Sequence, residues 1–545
     1  MERHDYVIVG AGSAGCALAG RLSEDPETRV LLLEAGGRDN RLHIRMPAAY
    51  TKLFKGPCDW NYSTAPQPSL EGRELYWPRG KVLGGCSSIN SQIYVRGHRA
   101  DFDGWAAQGN PGWSYQDVLP YFRRSEAFSD VTSPLHGGDG PLAVSRLRDP
   151  NPATLAFVRA AQECGIPLAE DINGAAPEGA SLCPVTQKNG RRWSAADAFL
   201  RPARGRRNLM VQTGAHATRV LFEGRRAVAV EYLHEGAPRR AAAAREVIVA
   251  GGAVNSPQLL MLSGVGPADH LRRHGITIVH DLPGVGLNLQ DHLAVPVIVA
   301  CRAPVTLVAA ETLGNLLRFL IFRRGMLTSN VGEACAFVRT RPHLAAPDIE
   351  LIFGPVPWVN HGLVKVTRHA VTLGPILLQP ASRGSISLRS ADPLAAPCIQ
   401  PSYLSDPEGE DLRALVDGVE LARRVLGAPA LARMMGEPMV PGPEARSRAD
   451  LERFVRAKAE TLYHPVGTCA MGTGERAVVD PELRVRGLEA LRVVDASVMP
   501  RITRGHTNAP AIMIGEKAAD LIRGAVVEKP IPTVAPRDRR PAASA

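Results

Sequence analysis

The chain of 545 residues lacks the staples of small secreted domains. Its nine cysteines (Cys16, Cys58, Cys86, Cys164, Cys183, Cys301, Cys335, Cys398 and Cys469) are an odd, scattered set. They include no C-x-x-C pair and no histidine-rich companion, so neither a disulfide framework nor a metal site is expected. No window reaches the roughly 18 uncharged apolar residues of a membrane span, and no basic leader precedes the first apolar run. The chain therefore reads as cytoplasmic and not membrane-spanning. Aromatic residues make up only 5%. The net charge is +10, yet arginine is spread without aromatic interleaving, and nucleic acid is not an expected partner. There are no internal repeats. What is present is length for about three or four domains of ordinary size, and a hydrophobic share of 45% that can fill sizeable cores.

The N-terminal stretch carries the clearest pattern. An apolar run, Tyr6 to Val9, feeds Gly10-x-Gly12-x-x-Gly15, which opens a small-residue helix from Ser13 to Leu22 before a second apolar run ends on Glu34. This predicts a βαβ unit: Gly10 permits the turn, Gly12 lets backbone approach a pyrophosphate, Gly15 lets helix pack on strand, and the helix start offers its N–H groups to phosphate. Glu34, about twenty residues past Gly15, suits the hydroxyls of an adenosine ribose. It would repel a 2′-phosphate, which points to FAD or NAD rather than NADP.

Farther along, Gly36 to Tyr76 is irregular and rich in proline and aromatic residues, an ordered excursion over the cofactor domain. Trp77 to Ser91 then combines Gly80, Gly84 and Gly85 with small residues and Asn90, a segment whose backbone can lie flat against a planar or phosphorylated ligand. Helices are expected at Ala153 to Cys164, 408–426 and 447–460. Strands are expected within Asn208 to Tyr232, at Glu246 to Ala250, and at Asp348 to Phe353, Val371 to Leu373 and Gly384 to Arg389. After Ala250 a helix should start at Ser256-Pro257 and end at Gly264. A helix from Val305 to Gly325 carries Leu313, Leu316, Leu317, Leu320 and Ile321 on one side and closes on Arg323-Arg324. It suits packing on its own domain or a peripheral contact with an anionic membrane on the inner face of the cell.

Two histidines sit on glycine- and proline-constrained loops, in Tyr463-His464-Pro465-Val-Gly467 and Arg504-Gly505-His506-Thr507-Asn508. The second precedes a helix, Ala511 to Arg523, capped by Thr507 or Asn508. A neutral imidazole, with an unperturbed pKa of about 6.5, can take the hydroxyl proton of an alcohol near pH 7. A flavin N5 would supply the hydride acceptor, with the helix start near Asn508 facing the N1–C2=O edge.

From end to end the chain resembles the glucose–methanol–choline family of FAD-dependent oxidoreductases. Five blocks carry the likeness: Gly10 to Glu34; Gly80-Lys-Val-Leu-Gly-Gly-Cys-Ser-Ser-Ile-Asn90; Gly252-Ala-Val-Asn-Ser-Pro257 through Gly266; His464-Pro-Val-Gly-Thr; and Val494-Asp495-Ala-Ser-Val-Met-Pro500 through Asn508. Bacterial dehydrogenases of aliphatic alcohols and of choline are the nearest in pattern, including Gln187-Lys-Asn-Gly, Leu282 to His292 and Tyr403-Leu-Ser-Asp406. The resemblance implies His464 as base, His506 at the second catalytic position, and FAD held by Gly10, Gly12, Ser13, Ala14, Gly15, Glu34, Ala35, Arg79, Val82, Gly84, Gly85, Ser87, Asn90, Val220, Ala253, Asp495, Ala496 and Asn508. Ile89 stands where some choline oxidases link a histidine to flavin, so FAD should be non-covalent. Those dehydrogenases usually have Asn where this chain has His506.

The fold implied is α/β (α+β overall): a discontinuous Rossmann-like FAD-binding domain (1–155, 206–300, 461–526), a substrate domain on an antiparallel sheet flanked by helices (156–205, 301–460), and a disordered tail (527–545). The function implied is oxidation of a primary alcohol to the aldehyde, with electrons passed to a quinone-type acceptor. Choline dehydrogenation, an O2-using alcohol oxidase and a hydroxynitrile lyase are the alternatives. Glu333 is the candidate carboxylate for a choline cation. The sequence leaves the oligomeric state open.

Overall fold

A computed structural model describes residues 3–524 apart from 129 and 132; the expected tail at 527–545 lies outside the described residues. The apolar runs near the N-terminus form a parallel core. Arg3–Val9 pairs in parallel with Val30–Glu34 on one side and Ala237–Val249 on the other, and Leu209–Thr213 extends the sheet beyond Val30–Glu34. Leu491–Val493, from the far end of the chain, also joins Ala237–Val249 in parallel. Both faces of these strands are covered, so Val30 to Leu33 is buried without the alternation of a half-exposed strand. The sheet continues as an antiparallel meander through Arg226–His234 and Ala215–Glu223.

The glycine-rich turn leads into helix Ser13–Leu22, which packs on the C-terminal helix Asn508–Arg523. They approach closely at Gly515, where a Cβ would lie 2.5 Å from the Ala14 carbonyl oxygen. Arg21 and Arg124 both bind the buried Glu516, and Arg124 also takes Asp520.

A second sheet is antiparallel throughout. Its order is Met435–Val440, Val297–Cys301, Ala370–Leu377, Ile349–Gly354, Ala334–Val338 and Gly179–Leu182, with Leu293–Ala294 and Glu460–Thr461 on its margin. Glu410–Leu426 packs on Ala370–Leu377, and Pro152–Glu163 stacks Phe157 on Phe353 with ring centroids 4.9 Å apart. The α/β class and the helix-flanked antiparallel sheet are thus as expected. Strands Leu293–Ala294 and Val297–Cys301 already belong to the second sheet, ahead of the boundary expected at 300.

Three helix boundaries differ from expectation for local reasons. Gly252–Leu262 begins four residues before Ser256, because the Asp495 carboxylate accepts the Gly252 N–H. Pro257 is tolerated inside it, since the Ala253 carbonyl that it leaves without an N–H partner is taken by the Thr468 hydroxyl at 2.6 Å. The C-terminal helix begins at Asn508 rather than Ala511 and lacks a side-chain cap; the Asn508 side-chain Oδ1 instead accepts the Ser13 hydroxyl at 2.6 Å. The segment 305–325 is helical only over Leu313–Phe322, with the Thr312 hydroxyl accepting the Asn315 N–H. Phe319 is its buried residue and Leu316 is half-buried, whereas Leu313, Leu317, Leu320 and Ile321 point outward. The helix is thus packed on its own domain through Phe319 and Leu316, and the other apolar residues of that side stay exposed.

Candidate active site

A cavity of about 330 Å³ runs between the two sheets, bordered on one wall by the glycine turn and on the other by the second sheet. Gly10 shapes the first wall: its φ of +106° is in the left-handed region, and a Cβ there would meet the Ala250 carbonyl oxygen at 2.4 Å. At Gly12 a Cβ would have nothing within 4 Å, so the space beside this backbone is open to a ligand. Glu34 closes the second strand with each carboxylate oxygen accepting a backbone N–H, from Ala11 and from Gly36. Burial pushes its pKa up to about 7 despite those two donors. At the opposite end Asp495 is buried and ties helix Gly252–Leu262 to its own turn by accepting from Gly252, Ser256 and Ser497.

The structure brings most of the expected cofactor residues to this cavity: Gly10, Gly12, Ser13, Ala14, Glu34, Ala35, Arg79, Gly85, Asn90, Ala253, Asp495, Ala496 and Asn508 line it. Five do not reach the lining. Gly15 sits behind the turn, where a Cβ would lie 2.0 Å from the Gly10 carbonyl oxygen, so its role is packing. Val82 is fully buried, the Gly84 N–H is spent on the Ala11 carbonyl, and the Ser87 hydroxyl donates to Gly84 and accepts from Ala195. Val220 is buried with its N–H on the Ser263 hydroxyl; its strand reaches the cavity through Ala215, His216 and Ala217 instead.

Both predicted histidines line the cavity, with ring centroids 4.8 Å apart. His464 is gripped by the segment Leu282 to His292. The Asp291 carboxylate accepts the His464 backbone N–H at 2.7 Å, and is itself held by Tyr403 and Thr461. His292 Nδ1 lies 3.0 Å from His464 Nδ1, and His292 Nε2 lies 3.1 Å from the Leu378 carbonyl oxygen. A carbonyl demands a proton on His292 Nε2. Burial, followed by nearby His506, pushes the His292 pKa down to about 3, so this neutral ring must accept at Nδ1. His464 therefore carries its proton on Nδ1 and leaves Nε2 as a bare acceptor, a tautomer assigned from the hydrogen-bond network. Burial first, then His506, His292 and Arg79, push the His464 pKa well below 6.5. His506 faces different company: its Nε2 lies 3.1 Å from a carboxylate oxygen of the buried Glu350. Glu350 is 156 positions from His506, beyond the reach of any local pattern around that loop.

The second wall also holds an unexpected carboxylate. Glu460 lines the cavity with Tyr50, Phe54, Trp358 and Tyr463. Tyr50 stacks on Trp358 at 6.2 Å, and Phe54 meets Tyr463 edge-on at 6.1 Å. Burial pushes the Glu460 pKa up to about 7, although the His361 N–H and Arg73 oppose this. Glu333, the carboxylate expected to meet a substrate cation, does not reach the cavity. It is buried and bonded to Ser329, Thr154 and the Asn151 N–H. The aromatic wall comes from three separate stretches of chain, so no local signal marked it.

GMC oxidoreductase family models match residues 4–294 and 380–515. The chain belongs to the GMC oxidoreductases. An alcohol dehydrogenase [acceptor] of Pseudomonas putida is 46% identical, covering 95% of this chain and 95% of that protein. Human mitochondrial choline dehydrogenase is 47% identical, covering 98% and 93%. Among solved structures, a formate oxidase of Aspergillus oryzae described for its FAD modification superposes with a TM-score of 0.89 at 29% identity, covering 96% of this chain and 98% of that one. As a GMC oxidoreductase the protein is an FAD enzyme, and the residues present fit that cofactor. The open face at Gly12, the donor-rich helix starts and the Glu34 carboxylate suit pyrophosphate and ribose.

Among the described residues there is no cluster that could hold a metal ion and no helix long and apolar enough to cross a membrane.

Proposed function

We propose that this GMC oxidoreductase converts a primary alcohol to its aldehyde, with His464 as the base. The observation that carries this reading is that His464 lines the cavity with its Nδ1 3.0 Å from His292 Nδ1; with Nδ1 so engaged, we assign Nε2 as the proton acceptor. FAD bound along Gly12, Glu34 and Asn90 supplies the hydride acceptor. His464 Nε2 removes the hydroxyl proton, while Asp291 and His292 hold the ring from its backbone and its far nitrogen. A base positioned in this way contributes roughly 10²–10⁴-fold. His506, anchored by Glu350, lies against the same face and holds the substrate oxygen. The dehydrogenase likeness favours a quinone-type electron acceptor over O2, whereas a histidine rather than Asn at 506 favours the oxidases. Alcohol-dependent dye reduction against peroxide formation in air decides between them. A hydroxynitrile lyase would leave its flavin oxidised when mixed with alcohols without oxygen, so bleaching of the flavin supports the present reading.

A second substrate reading has its own observation. Glu460, half-buried beside Trp358, Tyr50, Phe54 and Tyr463, provides a carboxylate and ring faces for the ammonium head of a choline-like amino alcohol. An alcohol panel containing matched charged and uncharged substrates tests it: a preference for the charged member supports Glu460 as its ligand.

A further inference from the structure

The helix Leu313–Phe322 presents a face without a partner. Leu313, Ile321 and Phe322 are 72%, 65% and 66% exposed, and Leu317 and Leu320 continue the same outward surface. Its opposite side is anchored, with Phe319 fully buried in the cluster that includes Tyr50, Phe54, Leu327 and Val331. Tyr50, Phe54 and Val331 also line the active-site cavity, so this helix is fastened to the outside of the substrate wall.

The charges around the apolar face have one dominant sign. Arg318 and Arg324 are exposed on the helix and just after it, with Arg323 between them and the helix end. The hairpin Gln187–Arg192 leans against that end: a Cβ on Gly190 would lie 2.5 Å from the Arg323 carbonyl oxygen. This brings the exposed Arg191 close enough to Arg323 to lower its proton affinity, after the larger effect of partial burial. Two acids interrupt the basic rim, and both are already matched. Glu311 pairs with Lys52 and Lys365, and Asp149 pairs with Arg324 and accepts the Gly325 N–H.

We propose that this face docks on an anionic lipid surface, with Leu317, Leu320, Ile321 and Phe322 entering the acyl boundary and the arginines meeting lipid phosphates. An exposed apolar stripe flanked by cations is the pattern of helices that lie in the interfacial plane, and the basic rim adds attraction to anionic headgroups that falls with salt. Docking would hold the substrate wall next to the lipid, where long-chain alcohols and lipophilic quinones concentrate.

The experiment is flotation of the full-length holoprotein with vesicles of phosphatidylcholine containing phosphatidylglycerol, and with vesicles of phosphatidylcholine alone. The wild type should float with the anionic vesicles and be released by high salt. The double variant Ile321→Glu with Phe322→Glu should lose at least tenfold in bound fraction, and Arg318→Gln with Arg191→Gln should lose binding selectively on anionic vesicles. FAD content and turnover of a short, water-soluble alcohol should stay unchanged in both, since none of these residues touches the cavity. Light scattering in the absence of lipid separates the rival occupant. If Ile321→Glu with Phe322→Glu turns an oligomer into a monomer, a second copy covers the face and the proposal is wrong. It is equally overturned if the wild type fails to float, or if the Glu variants float as well as the wild type.

Discussion

The cofactor wall and the substrate wall of the cavity are made of different materials. The cofactor wall is mostly backbone and small residues, Gly10, Gly12, Ser13, Ala14, Gly85 and Ala253, with Glu34 and Asp495 as its two carboxyl groups. The substrate wall is side chain: Tyr50, Phe54, Trp358 and Tyr463, the histidine pair and the carboxylate Glu460, with the buried Glu350 behind His506. Backbone donors and open glycine faces suit a phosphate-bearing ligand that is bound the same way in every turnover. Rings and buried titratable groups suit a reacting molecule whose charge changes. The first wall holds its ligand by shape, and the second acts through protonation states that burial and neighbours set.

Substitutions should separate these two kinds of wall. The largest expected effect is on the cofactor side: Gly12→Val puts a side chain into space where a Cβ has no protein atom within 4 Å. The chain should fold with an unchanged circular-dichroism spectrum and lose more than about tenfold in bound FAD, taking all activity with it. On the substrate side, His292→Ala should keep FAD, yet slow flavin reduction by roughly 10–100-fold, the cost typical of losing an outer partner that orients a functional histidine. Stopped-flow reduction without oxygen measures this, and a rate equal to wild type would show that the His464 tautomer needs no partner.

Glu460→Gln should be milder and selective. It should raise KM about tenfold for cationic amino alcohols through the loss of an ion pair partly shielded from water, with little change for uncharged alcohols of similar size. Equal changes for both would remove Glu460 from substrate recognition. The smallest effect concerns pH. His464 must be neutral to act as base, and its pKa lies well below 6.5. As pH falls from about 7.5 to 6 the ring stays unprotonated, so the rate of flavin reduction by an uncharged alcohol should stay flat, with loss only in more acidic solution. A decline centred near 6.5 would mean that His464 titrates like a free imidazole.

The contrast also explains what could be read from the chain alone. The βαβ unit was legible because its determinants are local: three glycines, a small-residue helix and an acid at a set distance act within one stretch. Strands of the second sheet were legible as apolar runs, and their antiparallel arrangement came with the family likeness. His464 and His506 stood out by their constrained loops, but their partners did not. His292 lies 172 positions from His464 and Glu350 lies 156 from His506, and only the folded sheets bring these pairs together. Glu333 misled for the same reason. Its neighbours in sequence could not reveal that Thr154 and Asn151, from a distant helix start, already satisfy it. Val220 came with the family likeness; it is buried, and its strand reaches the cavity through Ala215, His216 and Ala217.

The division of labour between the two histidines is the central claim, and rapid-mixing flavin reduction in His464→Ala and His506→Asn tests it most directly. FAD content is to be checked first in each variant. The account predicts a loss of roughly 10²–10⁴ in His464→Ala, the share of a general base, and a much smaller loss in His506→Asn, which keeps a polar group for the substrate oxygen. If His506→Asn is as slow as His464→Ala, or slower, the base is the histidine held by Glu350 and the assignment to His464 is wrong.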